Sequence, residues 1–324
     1  MQIFRFGSLR LFRLAGIDVW LHFSWFIAAY VVVFTNAFGE HSSPAWKLAE
    51  FLALFGIVLM HEFGHALACR SVGGTAENIV LWPLGGVAFV QPPQRPGPVL
   101  WSIAAGPLVN LALLPVLGGL LALAYHVGWR EGAPDLYQFC FNLFVMNLTL
   151  LVFNLLPIFP LDGGQILQAL LWFVIGRAES LMAVSILGLI AGLGALGLLL
   201  LAALLLPGPG LFMMAVLAAF VALRSWSGFR QARLLMELLH APRHQELACP
   251  SCGAPPVQGE FWSCDECRQP FDVFESGGAC PNCGAEFPET QCLDCRQQHA
   301  VQAWRPRPKP AGSYPPPPAA SPPA

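Results

Sequence analysis

Charged residues are scarce in this sequence. Asp, Glu, Lys and Arg make up 11% of the 324 residues, whereas 56% are hydrophobic and the mean hydropathy is +0.58. An ordinary soluble domain carries about 25% charged residues, so this composition excludes that class and indicates a membrane protein. The net charge of −2 describes no single surface, because the basic residues are unevenly distributed along the chain. It gives no reason to expect nucleic-acid binding.

Six apolar runs have about the length, roughly 20 residues, that crosses a bilayer as a helix. They predict an all-α polytopic membrane protein with transmembrane helices at about 17–38, 48–70, 99–127, 137–157, 181–206 and 210–224. The first run follows a basic start, as a secretory signal does. Asp18 and His22 interrupt it, however, and no convincing cleavage site follows, so we expect it to be retained.

Arginines near the span ends predict the orientation, since basic residues concentrate on the cytoplasmic side. With six spans, the N-terminus, two internal loops and the C-terminus share one side, and nine arginines fall there. Only Lys47 and Arg130 fall opposite. We therefore expect an integral, multi-pass protein of a bacterial cell membrane, with both termini cytoplasmic.

Two shifts in composition divide the remaining chain. After Arg233 the sequence becomes polar and carries eight of the ten cysteines, and the end is rich in proline. We predict a membrane domain at 1–235, a linker at 236–245, a cysteine-rich domain at 246–300 and a disordered tail at 301–324. The tail has almost nothing apolar to bury. It is a solvated segment or, alternatively, a ligand for a proline-reading partner.

The stretch LFGIVLMHEFGHALACR, residues 54–70, places His61, Glu62 and His65 in an apolar, helix-like run. Residues four apart lie on one helix face, so the two imidazoles can reach one metal ion. Glu62 follows His61 directly and lies beside that helix face, so it can reach a water molecule on the metal without being a ligand. This spacing therefore predicts a zinc hydrolase with Glu62 as general base.

The alternative is that these three polar groups are satisfied within a helix bundle. An ionisable side chain at the bilayer centre costs about 2.5–3.5 kcal/mol, so three within one turn and a half need a compensating partner, which zinc would provide. A catalytic zinc needs a third protein ligand. The best candidate is Asp162 in NLLPIFPLDGG, since no other acidic residue lies between Asp135 and Glu179 and the topology places it near the end of the His61 helix. Taken alone, PLDGG is equally typical of a turn between helices.

The cysteine-rich segment contains an internal repeat, C-P-x-C-G followed by C-x-x-C-R, which occurs twice. C-x-x-C pairs place two thiolates on one zinc ion. A disulfide framework is the alternative, but a cytoplasmic segment lies in a reducing compartment. We predict a double zinc ribbon with two structural zinc ions, and we favour sequential pairing: Cys249, Cys252, Cys264 and Cys267 on one ion, and Cys280, Cys283, Cys292 and Cys295 on the other.

Three segments, HEFGH, AGPLVN at 105–110 and NLLPIFPLDGG at 154–164, together resemble the site-2 protease family of intramembrane zinc metalloproteases. The likeness covers roughly residues 15–225. It implies His61, His65 and Asp162 as ligands of a catalytic zinc and Glu62 as catalytic base. It also implies that Asn154 lies near the bound substrate.

A family member of this kind must hold its substrate extended before hydrolysis. WPLGGVAFV, residues 82–90, predicts a small membrane-associated β-hairpin in which Gly85 and Gly86 allow a turn or close approach and the following residues form a strand. The resemblance supports this, because family members carry a hairpin after the metal-binding helix. A loop folded back on the bundle is the alternative.

Two functions follow from different classes. The first is an intramembrane zinc metalloprotease that cuts transmembrane segments of membrane proteins in the lipid bilayer. The second is a non-catalytic zinc-binding scaffold that recruits partners through its ribbons. A zinc carrier needs ligands but no general base, so Glu62 favours the protease. The mixed charge of the ribbon favours a protein partner, and no nucleic acid is expected.

Overall fold

The structure, a computed structural model, describes residues 7–34, 43–82, 85–205, 210–295 and 297–306. The chain divides into two compact units, Met1–Arg233 and Leu234–Ala324. The first is mainly helical with one small sheet, and the second consists of short strands and turns after the end of a long helix.

Eight helices occur in the described residues: α1 (Ser24–Phe34), α2 (Pro44–Ser71), α3 (Pro96–His126), α4 (Trp129–Gly132), α5 (Pro134–Leu155), α6 (Asp162–Ile175), α7 (Arg177–Leu205) and α8 (Gly210–His240). Four of them, α2, α3, α5 and α7, are long and apolar enough to cross a membrane. They coincide with the predicted spans at 48–70, 99–127, 137–157 and 181–206. The predicted span at 210–224 lies within α8, which is not one of these four.

The predicted helical span at 17–38 is wrong in its first part. Residues Ile17–His22 form strand β2, and helix α1 begins only at Ser24. Ile17 and Val19 are fully buried, which is the two-residue period of a strand. A count of apolar residues cannot distinguish this strand from a helix. The end of the predicted span, 35–38, lies outside the described residues.

A four-stranded sheet follows the order β1-β2-β3-β4, with β1 at Ser8–Leu14, β3 at Thr75–Trp82 and β4 at Gly85–Gln91. β2 and β3 are parallel, and the two outer pairs are antiparallel. The β3–β4 pair is the predicted hairpin, with Gly85 and Gly86 at the start of strand β4, and residues 83–84 lie outside the described residues. The two N-terminal strands were not predicted.

The sheet packs against one side of α2. Ile17, Val19, Ile79 and Leu81 of the sheet share a buried cluster with residues of α1 and α2. At the C-terminal end of α2, the Arg70 guanidinium donates to the backbone oxygen of Gly16 at 3.1 Å and, through Nε, to that of Ala76 at 2.9 Å. The sheet is therefore fixed to the end of the helix that carries both histidines.

Helix α3 packs closely on α2 because Gly64 has no side chain. A Cβ atom at this position would come within 2.7 Å of the Ala105 backbone oxygen. After α5, residues 156–161 leave the helical path before α6 begins at Asp162. The Ser225 hydroxyl of α8 donates to the Phe159 backbone oxygen at 2.8 Å, which helps to hold this break. The break places Asp162 at the first position of a new helix.

Among its described residues, the second unit contains six short strands and a 3-10 turn at Val301–Ala303. The strands are β5 (Leu247–Ala248), β6 (Trp262–Ser263), β7 (Pro270–Phe271), β8 (Glu289–Gln291), β9 (Gln298–Ala300) and β10 (Arg305–Pro306), which pair as β5 with β10, β6 with β7 and β8 with β9.

The boundaries of this unit differ from the predicted ones at both ends. Helix α8 continues to His240, inside the predicted linker at 236–245, and Arg243 bonds to Pro255 and Asp294 within the unit. At the other end, residues 301–306 are ordered by pairing of β10 with β5 rather than forming tail. The predicted disordered tail otherwise lies outside the described residues, from 307 onward.

Candidate active site

His61 and His65 lie one turn apart on the buried face of α2. Their Nε2 atoms are 3.1 Å apart, and both side chains are almost completely buried. Asp162, from the start of α6, places Oδ2 at 3.0 Å from Nε2 of His61 and 3.3 Å from that of His65. The structure thus brings together the three residues predicted as ligands, although about 100 positions separate them in the sequence.

The outer ring nitrogens of both histidines face helix α3. Nδ1 of His65 is 2.9 Å from the backbone oxygen of Ser102, which can only accept a hydrogen bond. Nδ1 of His61 is 2.5 Å from Oδ1 of Asn110. With a proton on each Nδ1, both Nε2 atoms carry lone pairs that point at each other and at the Asp162 carboxylate.

Three electron-pair donors directed at one point need a cation between them. The ligand atoms of His61, His65 and Asp162 all lie within 4.8 Å of one another, and Oδ2 of Asp162 is buried without a hydrogen-bond donor among the described residues. Gly106 of α3 completes the cradle, since a Cβ atom there would collide with Nε2 of His65 and come within 2.8 Å of that of His61. Two imidazoles and one carboxylate form a typical catalytic zinc donor set, so these residues fit the metal.

Glu62 is buried beside this cluster but is not part of it. Its Oε2 accepts a hydrogen bond of 2.9 Å from the backbone N–H of Ala88 in β4. A Cβ atom at Gly86 would collide with the Glu62 side chain. The hairpin therefore approaches the Glu62 carboxylate through a glycine, a contact that the sequence did not predict.

Two of the predicted substrate residues, Asn154 and Gly85, were expected from the sequence to lie near a bound substrate. Asn154 is half-buried on α5, and no hydrogen bond within the described ranges joins it to His61, His65 or Asp162. Gly85 pairs with Trp82 at the start of the hairpin. Their roles stay predictions.

Three residues on α3 are important to the site although their roles were not predicted. Ser102, Gly106 and Asn110 are spaced four apart, so they lie on one face of the helix, and that face contacts the two histidines. The segment AGPLVN contains the Gly106–Asn110 spacing, which was the available signal. Asn147 of α5, which bonds to Asn110, had no comparable signal.

The eight C-terminal cysteines form two clusters, but sequential pairing is wrong. Cys249, Cys252, Cys292 and Cys295 form one group, and Cys264, Cys267, Cys280 and Cys283 form the other. Sulfur–sulfur distances between the pairs are 3.8 and 3.9 Å in the first group and 3.5 and 3.7 Å in the second. Four sulfurs at about 2.3 Å from one zinc would be about 3.8 Å apart. All ten cysteines lie in described residues and none forms a disulfide.

The last strand of the second unit pairs with its first strand, which explains why the first and last cysteine pairs share one cluster. β10 pairs with β5, so the end of the unit lies beside its beginning. Trp304 packs with Cys249 and Cys292 in one buried cluster. In the sequence, the four cysteines of the second group lie between Cys252 and Cys292 of the first group. Sequence similarity between the repeats could not reveal this closure, because it depends on strand pairing between distant residues.

A buried pair of histidine and aspartate side chains also stabilises the second unit. Asp272 lies 2.9 Å from Nε2 of His244 and accepts backbone N–H bonds from Gly259 at 2.7 Å and Phe274 at 2.9 Å. Burial alone would raise the pKa of Asp272, but these hydrogen bonds hold that pKa below its usual range. The unit thus has a polar anchor in addition to its cysteine clusters.

Comparisons with known proteins agree with this geometry. A family model described as Peptidase family M50 matches residues 114–198, which include Asn147 and Asp162 but not the histidines. A zinc metalloprotease of Methanocaldococcus jannaschii is 37% identical over 164 residues, covering 51% of this chain and 45% of that protein. Stage IV sporulation protein FB of Bacillus subtilis is 35% identical over 120 residues, covering 36% of this chain and 38% of that protein.

A solved structure, the site-2 protease from Methanocaldococcus jannaschii, is also similar. It has 27% sequence identity and a TM-score of 0.48, covering 68% of this chain and 95% of that one. The chain spans less than half the length of the two curated relatives. The chain is therefore similar to peptidase family M50 over residues 114–198 and to a zinc metalloprotease over about half of its length.

Proposed function

We propose that the chain is an intramembrane zinc metalloprotease that hydrolyses peptide bonds within or near transmembrane segments of membrane proteins. One observation carries the proposal: a buried carboxylate, Glu62, lies beside a three-residue donor set that fits zinc, on a helix apolar enough to cross a membrane. A metal carrier would have no use for this carboxylate.

His61, His65 and Asp162 are the proposed zinc ligands. Zinc bound there would polarise the scissile carbonyl and acidify a water molecule. Glu62 is the proposed general base, which removes a proton from that water and passes it to the leaving amine. The N–H of Ala88 orients the Glu62 carboxylate from the side of β4.

The substrate is proposed to bind along β4. A peptide bond inside a helix is shielded by the helix's own hydrogen bonds, so a substrate must be extended before hydrolysis. β4 is the last strand in the described sheet order, and an edge strand can pair with an extended peptide. Because Ala88 of this strand bonds to Glu62, a peptide on β4 would lie next to the base. Gly85, Gly86 and Asn154 are the proposed substrate contacts.

The nested cysteine clusters are proposed to hold two structural zinc ions, in addition to one catalytic ion. The sulfur distances suit tetrahedral thiolate sites. The ribbon, comprising the residues after α8 up to Pro306, is proposed to bind a protein partner. We further propose that the protein lies in a bacterial cell membrane, with both termini and the ribbon cytoplasmic.

A proteomic comparison tests the proposed function in cells. Cells that carry the wild type are compared with cells that carry Glu62→Gln at equal expression. We expect single-span membrane proteins to accumulate uncleaved in the variant only, and the cut peptides to map within or beside their spans. Identical membrane proteomes would favour a non-catalytic zinc scaffold instead.

A further inference from the structure

Two buried asparagines connect His61 to a fixed point of the backbone. Asn110 on α3 and Asn147 on α5 are both completely buried. Nδ2 of Asn147 lies 2.9 Å from the backbone oxygen of Asn110, Nδ2 of Asn110 lies 2.8 Å from Oδ1 of Asn147, and Oδ1 of Asn110 lies 2.5 Å from Nδ1 of His61. The three contacts form one continuous chain of hydrogen bonds.

The direction of every bond in this chain follows from its first member. A backbone oxygen can only accept, so the Asn147 amide must present its NH2 group to the Asn110 carbonyl. The side-chain oxygen of Asn147 then faces Asn110, so the Asn110 side chain must donate to it through its own NH2 group. This leaves the Asn110 oxygen facing His61, so Nδ1 of that ring must carry the proton and Nε2 must be free of it.

Different hydrogen-bond partners fix the same tautomer in the two histidines. His65 contacts a backbone carbonyl directly, at Ser102, and needs no intermediate side chain. Nδ1 of His61 instead faces an amide side chain, which could rotate by 180° and present NH2 in place of oxygen. Asn147 prevents that rotation. A rotated Asn110 would favour the tautomer with a proton on Nε2, and that atom could then not bind a metal.

We infer that Asn147 is a positioning residue: through Asn110 it fixes the tautomer of His61 that leaves Nε2 available as a ligand. The inference rests on the proposed function, since it assumes that His61 binds zinc. Outer partners of metal-binding histidines typically change metal affinity by about 10–100-fold when they are removed. Asn147 is one residue further from the ring than such partners usually are.

The variants separate tautomer control from packing. Asn147→Leu removes both hydrogen bonds at similar side-chain size. The double variant Asn110→Asp/Asn147→Leu supplies a carboxylate, whose two oxygens both accept from Nδ1 and need no orienting partner. Asn142→Leu is the matched control, because Asn142 lies on the same helix but bonds to Glu50.

The first readout is the ¹⁵N spectrum of labelled histidine in the zinc-free full-length protein in detergent, with the His61 signals assigned from a His61→Gln spectrum. The second is zinc retained per chain against increasing chelator, with Asp162→Ala as the baseline for ribbon zinc. We expect wild type and Asn142→Leu to keep the proton on Nδ1. Asn147→Leu should show the other tautomer and about 10–100-fold weaker zinc binding, and the double variant should recover both.

The possible results distinguish the positioning role of Asn147 from the proposed function of the chain. Unchanged tautomer and zinc affinity in Asn147→Leu would overturn the inference while the proposed function stands. A loss that Asn110→Asp does not rescue would reduce Asn147 to a packing role and also overturn it. A wild type that retains no zinc above the Asp162→Ala baseline would overturn the proposed function itself. If Asn147→Leu does not fold, Asn147→Ser replaces it, because serine cannot hold the Asn110 amide in place. An unchanged tautomer and zinc affinity in that variant, or a loss that Asn110→Asp does not rescue, would overturn the inference in the same way.

Discussion

The backbone N–H of Ala88 lies 2.9 Å from Oε2 of Glu62 and donates a hydrogen bond to it. This bond joins β4 to the helix that carries both histidines. It places the strand that could hold a substrate directly beside the carboxylate that could act on it. The glycine at position 86 permits this approach, because any larger residue there would meet the Glu62 side chain.

Replacement of Gly86 with Ala should therefore impair hydrolysis without removing zinc. The added methyl group must displace Glu62 or β4, and a shift of about 1 Å in a catalytic group can cost about 100-fold in rate. We expect turnover of a single-span substrate to fall by about that factor, with zinc content unchanged. Gly56→Ala, on the same helix as Glu62 and with nothing within 4 Å of its Cβ position, should keep full activity. Equal activity in both variants would contradict a close β4–Glu62 approach.

A methyl group at Gly106 should act on the metal instead. Its Cβ atom would occupy the space between the imidazoles that face α3. We expect Gly106→Ala to reduce zinc from about three ions to about two per chain, measured by elemental analysis of the purified protein. Gly119→Ala on the same helix, where the added atom meets nothing within 4 Å, should leave zinc content unchanged. Full zinc content in Gly106→Ala would show that the cradle is wider than the structure indicates.

The sequence predicted the three residues that converge in the site and four of the helices that could cross a membrane, because local spacing carries that information. Two histidines four apart must share a helix face, and long apolar runs must be buried or lie in lipid. It did not predict Asn147, whose importance comes from the packing of α5 on α3. It also missed β1 and β2, because Ile17 and Val19 contribute to an apolar run whether they belong to a helix or a strand. Both features depend on contacts between residues that are distant in the sequence, which local spacing does not reveal.

Combined cysteine substitutions test the nested ribbon. Changing Cys249, Cys252, Cys292 and Cys295 together to Ser should release one zinc, since all four surround the same site. Changing Cys249, Cys252, Cys264 and Cys267 together should release two, because it removes half of each site. Native mass spectrometry can count the ions. The opposite pattern, two ions lost and then one, would restore sequential pairing.

Reporter fusions test the orientation of the chain. A reporter fused after residue 235 should behave as cytoplasmic, and one inserted at 128–136 should be exported. Arginines concentrate on the side predicted to be cytoplasmic, and only Lys47 and Arg130 are predicted opposite. Alkaline phosphatase and green fluorescent protein fusions give opposite signals at each site, so each position has its own control. A reversed pattern would refute the assigned orientation.

The most direct test of the account compares wild type and Glu62→Gln in proteoliposomes that contain a single-span substrate. Both proteins should retain zinc at His61, His65 and Asp162, because Glu62 is not one of the three converging ligands. Only the wild type should cleave the substrate, and a chelator should abolish that cleavage. Cleavage by Glu62→Gln at the wild-type rate, or loss of the intramembrane zinc in that variant, would contradict the assignment of Glu62 as the base of an intramembrane zinc protease.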